Sequence, residues 1–133
     1  MRIEHVAVWT NQLETMKDFY VKYFGGVAGE KYVSKEHKGG RFESYFLTMG
    51  TGARLEIMQE STVTQKAPYP MIGFSHIAFQ MDTPEAVMAL AQRFKNDGLK
   101  MAGEPRRTGD GYFEASVLDP DGNIVEITTL PEE

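Results

Sequence analysis

The chain has 133 residues, of which 41% are hydrophobic and 25% charged, as is typical of one soluble domain or two small fused modules. Its net charge of −5 disfavours a nucleic-acid partner, and the absence of cysteine excludes disulfides, thiolate metal ligands and cysteine nucleophiles. Because no apolar run is long enough to cross a bilayer and no leader is evident, we expect no membrane partner and a cytoplasmic location.

The first half of the chain predicts a strand, a helix and three further strands. Apolar residues alternate in the strands and recur on one face of the helix. Asn11 and Glu14 have the spacing of a capping box at the helix start, and Gly25 is expected to end the helix. A polar loop at 35–40 separates the two middle strands. In chain order, the elements are a strand at 2–10, a helix at 11–24, extended segments at 27–34 and 41–49, and a strand at 53–59.

The second half repeats this order of elements. A connection at 61–71 joins a first module, 1–60, to a second module, 72–133. Thr83 and Pro84 predict the start of the second helix. Its elements are a strand at 73–81, a helix from 83 to about 96, short strands near 104–108 and 112–118, and a strand at 123–129. An internal repeat of this kind predicts an α+β fold of two βαβββ modules.

Four polar residues occupy equivalent positions in the two modules. His5 and Glu56 are 51 positions apart, and His76 and Glu126 are 50 positions apart. If the apolar residues of these strands pack under the helices, all four side chains point to the opposite sheet face. Each residue taken alone is more typical of an exposed or structural side chain, but their repetition favours a metal site. Two imidazoles and two carboxylates suit divalent Zn, Ni, Co, Mn or Fe.

Proton transfer next to a carbonyl of a small-molecule substrate is one reaction that such a site can support. A cation on substrate oxygens stabilises the negative charge that develops there when a neighbouring C–H loses its proton. Glu126 is the first choice for the base and Glu56 the second, while His5 and His76 remain fixed ligands. Alternation also predicts four residues that line the site, although packing explains the apolar three about as well: Trp9, Phe46, Met58 and Ser116.

Two neighbouring arginines, Arg106 and Arg107, lie in the predicted strand near 104–108. They could attract an anionic substrate. A solvated pair on a short strand is the simpler interpretation.

The chain resembles the vicinal oxygen chelate superfamily, which includes glyoxalase I, fosfomycin-resistance thiol transferases, extradiol dioxygenases, methylmalonyl-CoA epimerase and bleomycin-binding proteins. The motifs that carry this resemblance are His5-Val-Ala-Val, Met16-Lys-Asp-Phe-Tyr20, Gly73-Phe-Ser-His76-Ile-Ala-Phe79 and Leu118-Asp-Pro-Asp-Gly122-Asn-Ile-Val-Glu126. The resemblance implies a curved, cup-shaped mixed sheet that holds a metal, with the helices on its outer face. It also implies a homodimer.

The ligand set His, Glu, His, Glu is similar to that of glyoxalase I, which implies a metal-dependent lyase or isomerase like lactoylglutathione lyase. Bacterial glyoxalase I enzymes tend to hold glutathione with a basic residue four places after the first ligand and an Asn four places after the second. Here these positions are Trp9 and Glu60, so the resemblance does not extend to glutathione binding. The alternatives are a metal-independent small-molecule-binding protein of the bleomycin-resistance type and an acyl thioester epimerase.

Overall fold

The computed structural model describes residues 1–37 and 40–132, apart from the side chains of residues 36 and 37. The chain divides into two compact units, Met1–Ala67 and Pro68–Glu133. The division falls inside the connection predicted at 61–71. Within the described residues, no helix combines the length and the apolar character needed to span a membrane.

The first unit has a five-stranded mixed sheet with one helix packed on it. Its elements are β1 (His5–Trp9), α1 (Leu13–Phe24), β2 (Val27–Ala28), β3 (Tyr32–His37), β4 (Gly40–Thr48) and β5 (Arg54–Glu60). The strand order is β1-β5-β4-β2, with β3 also paired to β4, and β1 runs parallel to β5. The buried core between helix and sheet consists of Leu13, Met16, Phe19, Tyr20, Leu47, Leu55 and Ile57.

The second unit has a four-stranded mixed sheet and one helix. Its elements are β6 (His76–Gln80), α2 (Pro84–Asn96), β7 (Met101–Arg107), β8 (Phe113–Leu118) and β9 (Ile124–Thr128). The order is β6-β9-β8-β7, with β6 parallel to β9. Its core consists of Val87, Ala91, Phe94, Ala115, Val117, Val125 and Ile127. The α+β class and the repeated order of elements predicted from the sequence are therefore confirmed.

The segment predicted at 27–34 forms two strands, β2 and β3, instead of one. Ala28 pairs with Leu47 and Tyr32 pairs with Ser44. Four residues on one strand thus face three on the other, and this bulge interrupts the segment. The predicted loop at 35–40 is also too long, because β3 continues to 37 and β4 begins at 40; positions 38 and 39 lie outside the described residues.

The start of α1 depends on a side chain that is distant in sequence. The capping box predicted from Asn11 and Glu14 is wrong, because the residue that precedes α1 is Gln12 and its side chain makes no capping hydrogen bond. Instead, the backbone N–H of Leu13 donates to Oε1 of Gln59, on β5, at 3.1 Å. A side chain distant in sequence therefore satisfies one of the free N–H groups at the start of the helix.

The other helix boundaries follow the sequence prediction. Thr83 caps α2 by accepting a hydrogen bond from the N–H of Ala86 at 3.1 Å, and Pro84 is the first residue of the helix. Gly25 ends α1 with a φ of 68°, a left-handed conformation that glycine adopts without strain.

In the first sheet, the residues under α1 are better buried on the inner strand β5 than on the edge strand β1. Val6, predicted to pack under α1, is 36% exposed because β1 is an edge strand. Leu55 and Ile57 on the adjacent strand β5 are buried as predicted. In each unit the candidate His lies on the edge strand and the candidate Glu lies on the strand next to it.

Candidate metal centre

The first His and Glu pair forms across the parallel strands β1 and β5. Their register places Glu56 opposite Ala7, two residues after His5, so both polar side chains lie on the same sheet face. The Nε2 atom of His5 is 3.7 Å from Oε1 of Glu56, and the side chains are 41% and 13% exposed. This distance places an imidazole nitrogen beside a carboxylate that is largely shielded from water.

The second pair repeats this geometry in the other unit. Glu126 on β9 lies opposite Ala78, again two residues after the histidine, His76. Nε2 of His76 is 3.3 Å from Oε2 of Glu126, and the side chains are 39% and 20% exposed. The repeat seen in the sequence is therefore a repeat of side-chain geometry.

Each histidine has a second partner on its other ring nitrogen. Nδ1 of His76 is 2.9 Å from Oγ of Ser75, and Nδ1 of His5 is 3.4 Å from Oε1 of Glu4. A partner that holds the proton on Nδ1 leaves the lone pair of Nε2 available to a metal. Sequence reasoning missed Ser75 and Glu4, although their adjacency to the histidines could have indicated this role.

Glu4 is itself held by Arg54. The guanidinium of Arg54 donates to both carboxylate oxygens of Glu4, and this hydrogen bonding lowers the pKa of Glu4 from 4.5 to about 2. The same guanidinium lies over the ring of Phe46, with 4.2 Å between Cζ and the ring centroid. Glu4 is therefore a fixed anion beside His5 at neutral pH.

Glu126 has the opposite electrostatic environment. Burial, followed by a hydrogen bond with Glu114, raises the pKa of Glu126 from 4.5 to about 7, and the charge of Arg106 opposes part of this rise. Two carboxylates in contact disfavour two negative charges, so one proton or a cation stabilises the pair. A divalent ion would satisfy this requirement.

The raised pKa of Glu126 predicts a pH-dependent stability of the metal-free protein. The folded protein holds this proton more tightly than the unfolded chain, so the free energy of unfolding should fall as the pH rises from 4.5 to about 7. Urea unfolding of chelator-treated protein across this range measures the effect. Glu126→Gln should flatten the pH dependence, and an unchanged slope in that variant would contradict the assignment.

A cavity of about 400 Å³ opens beside Glu126 in the second unit. It lies at the end of the β7–β8 hairpin, where Oγ1 of Thr108 donates to Asp110 and accepts from the N–H of Tyr112 at 3.0 Å. Its lining residues are Arg106, Thr108, Gly109, Asp110, Tyr112, Glu114 and Glu126. This volume is in the range of small-molecule sites.

Three of the four predicted lining residues lie in the first unit, on the sheet face that carries Glu56. Phe46 pairs with Glu56, and its ring is edge-on to His5 at 5.3 Å between centroids. Met58 pairs with Trp9, which is 43% exposed. Phe46 therefore contacts the first His and Glu pair, whereas Trp9 and Met58 lie further along the same sheet face.

The fourth predicted lining residue, Ser116, lies opposite Glu126 in the β8–β9 register. Ser116 also leaves no room for a side chain at Gly103 on β7, because a Cβ there would lie 2.8 Å from its Oγ. The hydroxyl of Ser116 is thus held between two strands, on the same face as Glu126.

Within the part of the chain that the structure describes, no set of three or more His, Asp and Glu side chains is placed to hold a metal. The structure brings His5 to Glu56 and His76 to Glu126, and each pair supplies two of the four predicted ligands.

The turn before β9 is organised by one buried side chain, Asp119, which is 4% exposed. Its Oδ1 accepts hydrogen bonds from the backbone N–H groups of Asp121 and Asn123, both at 2.9 Å. Its Oδ2 accepts from the side-chain amide of Asn123 at 2.9 Å. This hairpin connection leads directly into the strand that carries Glu126.

Several solved structures are similar to this chain over nearly its whole length. A glyoxalase family protein from Enterococcus faecalis is 25% identical with a TM-score of 0.76, and the match covers 96% of each chain. A glyoxalase I mutant from Zea mays is also 25% identical, with a TM-score of 0.75 over 98% of this chain and 45% of that one. A lactoylglutathione lyase from Agrobacterium tumefaciens, at 21% identity and a TM-score of 0.71 over 96% of this chain and 92% of its own, shows likeness of fold.

The sequence comparisons identify the family. No curated protein matches the chain in sequence. The profile of the Glyoxalase/Bleomycin resistance protein/Dioxygenase superfamily matches residues 2–127. Of the elements that the structure describes, the matched residues include both helices, the first eight strands in full and all of β9 except its last residue. The chain therefore belongs to the Glyoxalase/Bleomycin resistance protein/Dioxygenase superfamily.

Proposed function

We propose that this protein is a glyoxalase-like metalloenzyme that catalyses proton transfer next to a carbonyl group of a small-molecule substrate. The observation that supports this proposal is the repeated His and Glu pair. In both units Nε2 of the histidine faces a carboxylate oxygen, at 3.7 Å in one and 3.3 Å in the other. The pair also recurs with the same strand register in the two units.

The proposed ligands of one divalent ion are His5, Glu56, His76 and Glu126. Zn, Ni, Co, Mn and Fe all accept this mixture of nitrogen and oxygen donors. When bound, such an ion stabilises negative charge on a substrate carbonyl oxygen. Ser75, through its contact with Nδ1 of His76, orients that ring.

Glu126 is the proposed base. Its carboxylate could leave the metal, take a proton from the carbon next to the carbonyl and return it. Glu56 is the second candidate for the base because it occupies the equivalent position in the first unit. The proposed contacts to the rest of the substrate are Trp9, Phe46, Met58 and Ser116.

We also propose a homodimer as the working form. Each unit supplies one His and one Glu, whereas a bound divalent metal commonly takes four protein or water ligands. The two kinds of pair together would supply four such ligands, and in a homodimer they would come from two chains. Sedimentation analysis with and without added metal measures this dependence. The cytoplasmic location expected from the sequence stays a prediction.

Metal analysis tests the proposal directly. Protein purified without a His-tag or chelator should carry one divalent ion per chain, and His76→Ala and Glu126→Ala should each lose nearly all of it. The control is Glu104→Ala, since Glu104 is an exposed carboxylate paired with Lys95. The proposal is wrong if the unmodified protein carries no stoichiometric metal, or if both ligand variants retain it.

A metal-independent binding protein is the second candidate, and the cavity beside Glu126 favours it. In that case the metal content would be negligible, and a small molecule would bind equally well to chelator-treated protein. An acyl thioester epimerase would use the same metal and the same base as the main proposal. Trials with hemithioacetals of 2-oxoaldehydes and with acyl thioesters separate these two enzymes.

A further inference from the structure

Arg106 is the basic residue that lines the cavity beside Glu126. Its side chain is 68% exposed, and Nη2 lies 3.8 Å from Oε1 of Glu114. This separation is longer than a hydrogen bond, so the contact with Glu114 is purely electrostatic. The planar guanidinium therefore keeps donors that can bind a second acceptor from the cavity.

The neighbouring Arg107 has a different environment. Its Nη1 donates to the carbonyl of Gly111 at 3.2 Å, and its Nη2 lies 3.1 Å from Oε1 of Glu132. It also contacts the ring of Phe113, 5.6 Å from its centroid. Arg107 therefore stabilises the hairpin end, and the two arginines have separate roles.

The sheet register places Arg106 on the same face as Glu126. Arg106 pairs with Glu114 across β7 and β8, and Ser116 pairs with Glu126 across β8 and β9. The strands that carry Arg106 and Glu126 are thus two strand spacings apart, roughly 10 Å between their backbones. Both side chains line one cavity. A small ligand bound to the guanidinium at one end would therefore place an atom a few bonds further along beside Glu126.

We propose that Arg106 determines substrate specificity by binding the carboxylate of a small 2-oxo monocarboxylate whose reacting carbon lies at Glu126. The guanidinium fork matches a carboxylate through two parallel hydrogen bonds. Asp110, Glu114 and Glu126 also line the cavity and would repel a negative charge placed away from Arg106, which favours a ligand whose single negative charge lies at the guanidinium. The placement of the reacting carbon at Glu126 rests on the proposed function. Binding of the carboxylate by Arg106 does not require turnover and can be measured separately.

The test is a titration of the full chain with 2-oxohexanoate, followed by amide and Arg Nε–H resonances in NMR spectra. The uncharged methyl ester of the same acid is the matched ligand. Both titrations are run on chelator-treated protein and again with added Zn²⁺. The variants are Arg106→Gln, Arg106→Lys and the control Arg107→Gln, and thermal unfolding verifies that each variant is folded.

The acid should bind, with shifts centred on the 106–112 hairpin, and the ester should bind roughly tenfold or more weakly. Arg106→Gln should weaken acid binding to the level of the ester, Arg106→Lys should weaken it partially, and Arg107→Gln should leave it unchanged. Acid binding that persists in Arg106→Gln, equal binding of the ester, or no binding to the unmodified protein would overturn the proposal. Because chelator-treated protein is included, a protein without metal or turnover can still show the carboxylate site.

Discussion

Glu126→Gln should lower turnover by about two to four orders of magnitude, the range that a general base contributes. Gln has the same shape as Glu and retains a carbonyl oxygen that can stay near His76, so the fold and part of the metal affinity should persist. It cannot accept a proton from carbon. Measurement of kcat with any substrate that the unmodified protein converts gives the size of the effect, and dialysis against metal gives the occupancy.

The matched variant is Glu56→Gln, because Glu56 occupies the equivalent position in the first unit. If Glu126 is the base, Glu56→Gln should reduce metal affinity and retain much more activity at saturating metal. Full activity of Glu126→Gln would exclude Glu126 as the base. A greater loss in Glu56→Gln than in Glu126→Gln would assign the proton transfer to the first unit.

Phe94→Ala should destabilise the second unit by about 3–5 kcal/mol, the usual cost of removing a large buried aromatic side chain. Phe94 is fully buried in the core between α2 and the sheet. A loss of this size approaches the total stability of many domains, so the variant should be partly unfolded at ambient temperature. Urea unfolding followed by circular dichroism measures the change.

Phe74→Ala is the control for this experiment, because Phe74 is fully exposed. Its free energy of unfolding should stay within about 0.5 kcal/mol of the unmodified protein. Trp9 is the single tryptophan and lies in the first unit, so tryptophan fluorescence arises from that unit. A loss below about 1 kcal/mol in Phe94→Ala would show that the core around α2 can close over the missing ring.

Hydrophobic periodicity predicted most of the fold because each helix and each inner strand buries one face in the core of its unit. The buried residues of α1 recur at helical spacing, and Leu55 and Ile57 alternate with Glu56 as expected of a strand with one buried face. The same alternation predicted the sheet face on which each His and each Glu lies, whereas the parallel pairing that places each Glu beside a His was not predicted. Local pattern is sufficient where one face of an element is buried and the other is not.

The prediction failed where distant residues decide the structure. Gln59 caps α1 from another strand, so the local spacing of Asn11 and Glu14 was misleading. β7 begins at Met101, three residues earlier than predicted, because pairing of Met101 with Val117 extends it. Glu114 was missed as the partner of Glu126, since the diagonal contact between β8 and β9 depends on a register that sequence spacing does not define.

The buried carboxylate of Asp119 influences the position of Glu126 without contacting it. By fixing the conformation of the connection into β9, Asp119 determines how many residues form the turn. A slip of one residue in the antiparallel pairing would turn Glu126 towards α2 and present Val125 or Ile127 in its place. The residue presented at the proposed site therefore depends on the number of residues in the turn, and a substitution in that turn would displace Glu126 even with every proposed ligand residue retained.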